Sequence, residues 1–234
     1  MNNSKVVNIR GLIKRFPMGK GQFTALNGID LSFGKGEFAG IIGPSGSGKT
    51  TLLNIIGTLD APSQGVVELL GKDTGAFTHR MAAIIRRKHI GFIFQTYNLL
   101  PVYTVFENVE FPLLLLDMTR SDRKKAVLDA LEWVGLSDKV SSRPAQLSGG
   151  ECQRVAIARA MVKKPAIVLA DEPTANLDVE NSHHILETME TLNSDLKTTF
   201  LFASHDEKVI QYLRRKISLI DGKVATDEKA GIEA

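Results

Sequence analysis

The sequence predicts an α/β fold with a mainly parallel sheet, on three observations. Short uninterrupted apolar runs recur along the chain, longer stretches of helical periodicity separate them, and four of the runs stop at a glycine or polar residue. The runs are "FAGII" before Gly43, "IGFIF" before Gln95, "AIVLA" before Asp171-Glu172 and "TTFLFA" before Ser204-His205. Unbroken apolar character over five or six residues is that of a strand buried on both faces, as in parallel sheets covered by helices. Ligands of such sheets gather beyond the carboxyl ends of the strands, so four polar strand ends imply one shared site.

Taken in chain order, Lys5 to Phe33 and Gln64 to Leu70 carry strand-like runs broken by glycines, and predict an antiparallel sheet beside the parallel core. A helix is expected from near Thr51. Between Gln95 and Pro165 the texture becomes helical: Ser121 is placed to cap a helix whose Val127, Leu128, Leu131 and Val134 share a face, and Gly135 is placed to end it. The stretch "KVATDEKAGIEA" after Gly222 predicts one short strand and then a frayed end. No internal repeat or low-complexity tract interrupts this order. The expectation is one domain over 1–234, with 1–95 and 165–234 forming the core and its antiparallel sheet, and 96–164 a helical subdomain.

At 234 residues, 43% hydrophobic and 24% charged, the chain has apolar material for one compact domain, not for disorder or a coiled coil. The single cysteine, Cys152, excludes an intrachain disulfide and a cysteine-based zinc site, which fits a reducing, cytoplasmic compartment. A net charge of +3 falls far short of the basic face that nucleic acid as the main ligand demands. "MNNSKVVNIRG" has no apolar stretch of signal-peptide length, and "FPLLLL" at Phe111 to Leu116 is too short to span a bilayer. No direct membrane insertion is expected, and any membrane role must run through another chain.

The stretch Gly43, Pro44, Ser45, Gly46, Ser47, Gly48, Lys49, Thr50 satisfies G-x-x-x-x-G-K-[ST] between a buried strand and an apolar helix opening at Thr51. Its glycines let backbone N–H groups turn inward on phosphate oxygens, Lys49 neutralises β/γ charge, and the Thr50 hydroxyl can ligate Mg²⁺. By itself this P-loop leaves kinases, GTPases, helicases and transporters all open. "IVLADEP" then sets Asp171 to hold Mg²⁺ through its water shell and Glu172 to act as general base on the attacking water. A helix-capping pair is the alternative for those two carboxylates taken alone. Gln95 is placed to contact the metal or the water, though a loop glutamine is commonly only solvated. His205 is placed to hydrogen-bond a γ-phosphate oxygen or the surroundings of the water, against a purely structural role. His183 and His184 are neighbours on a predicted helix and point to different faces, so they make no metal pair.

A second anion-gripping stretch, "LSGGECQR", begins at Leu147. Ser148 and Glu151 fit a capping box. Gly149 and Gly150 lie outside that explanation; they weaken the helix but clear its mouth, where a phosphate can approach.

With these motifs in place the chain resembles the nucleotide-binding subunit of an ATP-binding cassette (ABC) transporter, from Lys5 to about Val224. The resemblance implies a RecA-like core with an inserted helical subdomain. It also implies roles: Phe16 stacks adenine, Gly43 to Thr50 is the Walker A loop, Gln95 the Q-loop, and Leu147 to Glu151 the signature. Ile167 to Asp171 is then Walker B, Glu172 the catalytic base, Ala175 to Asp178 the D-loop and His205 the switch histidine. Two cassettes of this kind pair head to tail, so the signature of one copy would cover the ATP held on the phosphate loop of the other. The two anion sites would thus serve different ATP molecules. The chain departs from the family pattern at Cys152, where glutamine is usual, and at Phe16, where tyrosine is commoner.

"IGFIFQTYNLLPVYTVFENVEFPLLL" and the stretch from Arg143 to Asp178 resemble the branch that contains lipoprotein-releasing, macrolide-export and antimicrobial-peptide-export ATPases. The resemblance implies a separate membrane permease, docked near 97–115, and a peripheral place on the inner face of the cell membrane. Soluble or regulatory members of the family, of cell-division type or associated with DNA or ribosomes, share the ATP chemistry. Those acting on DNA carry coiled coils or zinc modules, and those acting on ribosomes carry two cassettes in one chain; this sequence has neither.

Overall fold

The computed structural model describes residues 5–19 and 21–229. Strands β1 (Lys5–Met18) and β2 (Gly21–Gly34) form a long hairpin, and β4 (Gln64–Leu69) and β5 (Lys72–Asp73) extend it into an antiparallel sheet ordered β2-β1-β4-β5. This is the predicted antiparallel unit. The six-stranded sheet is ordered β10-β9-β3-β8-β7-β6, from β3 (Phe38–Ile42), β6 (Ile90–Ile93), β7 (Ile167–Asp171), β8 (Thr199–Ser204), β9 (Arg215–Ile220) and β10 (Lys223–Lys229). Its pairings are parallel except for the β9–β10 hairpin at one edge. The predicted frayed end lies beyond Lys229, outside the described residues.

The unbroken apolar runs are explained by two cores, one on each face of the large sheet. Alternate residues diverge: Phe38, Val168, Ala170, Phe200 and Phe202 enter one cluster, while Ala39, Ile41, Ile167, Leu169 and Leu201 enter the other. The first cluster is closed by α3 (Val105–Glu110), α4 (Arg120–Trp133), α5 (Gly149–Met161) and α6 (Val179–Leu196), with Val109, Leu131, Ile157 and Leu186 fully buried. The second joins α1 (Lys49–Ile56) to the antiparallel sheet through Leu12, Leu26, Leu52 and Ile56. Full burial of each such side chain contributes roughly 1.5–3 kcal/mol. Two short helices complete the fold, α2 (His79–His89) and α7 (Glu207–Tyr212).

Two expectations for α4 are corrected. The cap is Thr119, whose hydroxyl accepts the Asp122 amide at 3.1 Å, so Ser121 lies inside the first turn. Leu128 is 40% exposed, because the buried stripe runs through Val127, Ala130, Leu131 and Val134. Gly135 ends the helix as expected, with φ +66° and its amide donating to the Glu132 carbonyl.

Candidate nucleotide site

Four strand ends, the β1–β2 hairpin and the start of α1 surround a cavity of about 470 Å³. Phe16, Ser45, Gly46, Gly48, Lys49, Thr50, Thr51, Gln95, Asp171, Glu172 and His205 all line it. Gly43, Pro44 and Ser47 form the rear of the loop. A Cβ on Gly43 (φ +150°) would stand 2.2 Å from the Leu219 carbonyl oxygen, so the loop is pressed against β9 and admits no side chain there. The Gly222 amide, in the β9–β10 turn, donates to the Ser47 carbonyl at 3.1 Å, and the Gly222 carbonyl accepts from Asn27.

Helix α1 begins after Gly48 with no side-chain cap and no acidic residue in its first turn. Its leading amides therefore open into the cavity as an uncompensated anion site. Lys49 is buried and its Nζ donates to the carbonyls of Gly43 (2.7 Å) and Pro44 (2.9 Å), which fold the ammonium over the loop. The Ser47 hydroxyl is buried with no partner among the described residues. A buried polar atom left alone costs about 1–3 kcal/mol, and this one lies at the rear of the loop, outside the cavity lining.

At the end of β7, the Thr50 hydroxyl donates to Asp171 Oδ1 at 3.2 Å. Burial raises the Asp171 pKa, the adjacent Glu172 charge adds to the rise, and the Thr50 hydrogen bond and Lys49 oppose it. One hydroxyl, one carboxylate and the nearby Gln95 suit Mg²⁺, which takes few protein ligands and fills its shell with water and phosphate oxygens. Among the described residues no group of three or more His, Cys, Asp or Glu side chains could form an all-protein cage.

Glu172 has φ +46°, a left-handed backbone uncommon for a residue with a side chain. Its amide donates to the Ala203 carbonyl at 2.9 Å, holding the turn against the end of β8. There its carboxylate accepts the Ser204 hydroxyl at 2.7 Å and pairs with His205 Nδ1 at 2.6 Å. With Nδ1 donating to the carboxylate, a neutral His205 presents Nε2 as an acceptor. It can accept from a water, whereas donation to a phosphate oxygen requires the protonated ring. This narrows the role expected for a neutral imidazole.

Phe16 and Phe23 pair across the β1–β2 hairpin and both line the cavity, with Lys14 Nζ standing 4.8 Å from the Phe16 ring centroid. Phe23 and Ala25 were not readable from the motifs. The signal for Phe23 was available in the hairpin register, which sets it opposite Phe16, but that register is a product of folding.

Ser148, Gly149, Gly150, Glu151 and Asp178 stand apart from this lining. Ser148 and Glu151 form the predicted capping box at the head of α5. Asp178 caps α6 by accepting the Asn181 amide at 2.8 Å, and also accepts the Asn181 side-chain amide at 2.7 Å. A Cβ on Gly150 would fall 2.5 Å from Asn181 Oδ1, so this glycine has a packing reason in addition to leaving the helix mouth open. Gly149 is exposed. Cys152 is buried, with its thiol pKa raised by burial and by Glu151.

A Walker-type loop on a parallel sheet, facing a carboxylate pair and a histidine at neighbouring strand ends, defines a P-loop nucleotide hydrolase. The family model described as "ABC transporter" matches residues 26–175. The chain belongs to the ABC transporter family, as an ATP-hydrolysing subunit. It is 41% identical to the lipoprotein-releasing system ATP-binding protein LolD of Geobacter metallireducens, over 96% of this chain and all of that one. It is 39% identical to the macrolide export ATP-binding/permease protein MacB 1/2 of Paracoccus denitrificans over 98% of its length, but spans only 34% of that longer protein. Among solved structures, the dimeric post-hydrolysis state of the ATP-binding cassette MJ0796 bound to ADP and Pi matches with TM-score 0.88 and 40% identity, covering 96% of this chain and 99% of that one.

Proposed function

We propose that two copies of this chain pair head to tail around two MgATP and drive a separate membrane permease, in lipoprotein release or in export of drugs or peptides, from the inner face of the cell membrane. What supports the pairing is one observation: the cavity with the phosphate loop has none of Ser148, Gly149 or Gly150 in its lining, although Ser148 and Gly149 stand exposed at the head of α5. A second copy supplies what the first lacks. The dimeric cassette MJ0796 and the names of the LolD and MacB relatives agree with this reading.

In the proposed cycle, Phe16 and Phe23 receive the base, the amides of Gly46 to Thr51 and the Lys49 ammonium hold the phosphates, and Glu172 takes the proton of the attacking water. Thr50, Asp171 and Gln95 would hold Mg²⁺, which when bound supplies charge neutralisation on the phosphate oxygens. Ser204 and His205 fix the orientation of the Glu172 carboxylate. The partner copy's Ser148 and Gly149 amide would complete the shell around the γ-phosphate and exclude water. Loss of that phosphate removes the bridge and loosens the pair.

The test is Ser148→Arg. It should bind nucleotide, run as a monomer on gel filtration and hydrolyse ATP at background rate. Full activity from that monomer removes the shared-site reading.

A further inference from the structure

Lys14 on β1 is only 9% exposed, and its ammonium reaches the segment that follows α1. Nζ donates to Asp60 Oδ1 at 2.6 Å and to the Ala61 carbonyl at 2.9 Å. Asp60 is itself held. The same carboxylate oxygen accepts the Ala61 amide at 2.7 Å, and the amides of Leu59 and Asp60 donate to the Asn54 carbonyl in α1 at 2.8 and 3.3 Å. Ser63 then ties the segment back to β1, donating its amide to the Ile13 carbonyl at 2.8 Å and accepting the Arg15 amide at 2.9 Å.

A lysine side chain gives up much rotamer freedom when it is fixed, and its charge is costly to bury unless matched. Asp60 matches the charge. Those two hydrogen bonds occupy two of the three ammonium donors, and the Phe16 ring, its centroid 4.8 Å from Nζ, stands within cation–π reach of the same group. Phe16 lines the nucleotide cavity and Lys14 does not, so the ring stands between the cation and the space where a base would enter.

A cation against one face of an aromatic ring is attracted by the ring quadrupole and resists rocking of the ring. A platform fixed in this way loses less freedom when a base stacks on it. The other end of α1 opens on the phosphate loop at Lys49, so this one helix meets the phosphates at its start and, through Asp60 and Lys14, the ring at its finish.

We propose that Lys14, clamped by Asp60, is a positioning residue for the nucleotide base: it fixes the Phe16 ring for stacking and refers that ring to the helix that carries the phosphate loop. The proposal rests on the reading above in which Phe16 receives the base, and adds what sets the ring. An ion pair that served stability alone would weaken every ligand alike or none.

The test titrates the purified full chain by calorimetry with MgATP and with magnesium tripolyphosphate, which has the phosphates and no base. Lys14→Met keeps most of the stem and removes the ammonium. It should weaken ATP about fivefold, the scale of one cation–π contact, and leave tripolyphosphate unchanged. In turnover it should raise KM for ATP by the same factor and leave kcat near that of the parent. Asp60→Asn keeps an acceptor and loses the charge, so it should weaken ATP by a smaller factor and also spare tripolyphosphate. It reads the same clamp if thermal melts show Lys14→Met to be unfolded. Phe16→Ala should weaken ATP alone, and adding Lys14→Met to it should produce no further loss.

Parent-like ATP affinity in Lys14→Met and Asp60→Asn, with Phe16→Ala still weakened, overturns the proposal and leaves the base site in place. Equal losses for ATP and tripolyphosphate, or a further loss from Lys14→Met where the Phe16 ring is already absent, make Lys14 a support of the fold and overturn it too. Parent-like ATP affinity in Phe16→Ala removes the base-stacking reading, and the proposal with it.

Discussion

The Glu172 carboxylate lies 2.6 Å from Nδ1 of His205, with the Ser204 hydroxyl 2.7 Å from its other oxygen. The group assigned to proton abstraction is thus held at both oxygens by the end of the next strand, β8. Its left-handed backbone is maintained by the same strand through the Ala203 carbonyl. Base and orienting groups are therefore tied to one strand end.

Glu172→Gln should keep ATP binding and lower turnover at least a hundredfold, within the roughly 10²–10⁴ attributed to general base catalysis. The unhydrolysed nucleotide should accumulate an ATP-dependent dimer on gel filtration. Normal hydrolysis by this variant removes the general-base assignment.

Lys49→Ala should abolish ATP binding, measured by equilibrium titration with a fluorescent nucleotide. The ammonium is buried and bonded to two loop carbonyls, so its removal takes away both the charge and a tie across the loop.

Asp171→Asn should raise the melting temperature of the nucleotide-free protein at pH 7 while preventing hydrolysis. A carboxyl whose pKa is raised on folding makes the native state bind more protons than the unfolded chain, so its ionisation costs stability as pH rises through the raised value. The gain should vanish below the ordinary aspartate pKa of about 3.9, where both states are protonated. Equal melting curves across pH 3–8 would refute it.

Lys163→Met should also stabilise the free protein at pH 7. The folded-state pKa of about 8 lies below the usual 10.5, so the buried charge costs stability in full below pH 8. That cost fades as pH rises to 10.5, and the melting difference between variant and parent should shrink over that interval.

Gly150→Ala separates two reasons for one glycine. Alone it should destabilise the chain by about 1 kcal/mol through Asn181, in the ordinary range for overpacking. Gly150→Ala combined with Asn181→Ala should recover the stability by calorimetry. If activity stays low in the double variant, the open helix mouth matters in its own right.

Much of this was legible beforehand, where the physics is local. The strands were visible because burial on two faces demands unbroken apolar runs, and the phosphate loop because its glycines and lysine must stand at fixed intervals. The capping box at Ser148 was legible for the same reason. Phe23, the Asn181 approach to Gly150 and the Asp60 clamp on Lys14 were not, because each depends on a register or a packing between distant segments. At Leu128, helical spacing gave the buried stripe correctly but set its edge one residue too wide.

The Gly222 amide on Ser47 and the Leu219 carbonyl against Gly43 mean that a motif near the start of the chain is moulded by a hairpin near its finish. During synthesis the loop has no back wall until β9 and β10 leave the ribosome. A chain cut short before that hairpin should therefore hold nucleotide more weakly than the whole one, because its loop would lack these two contacts.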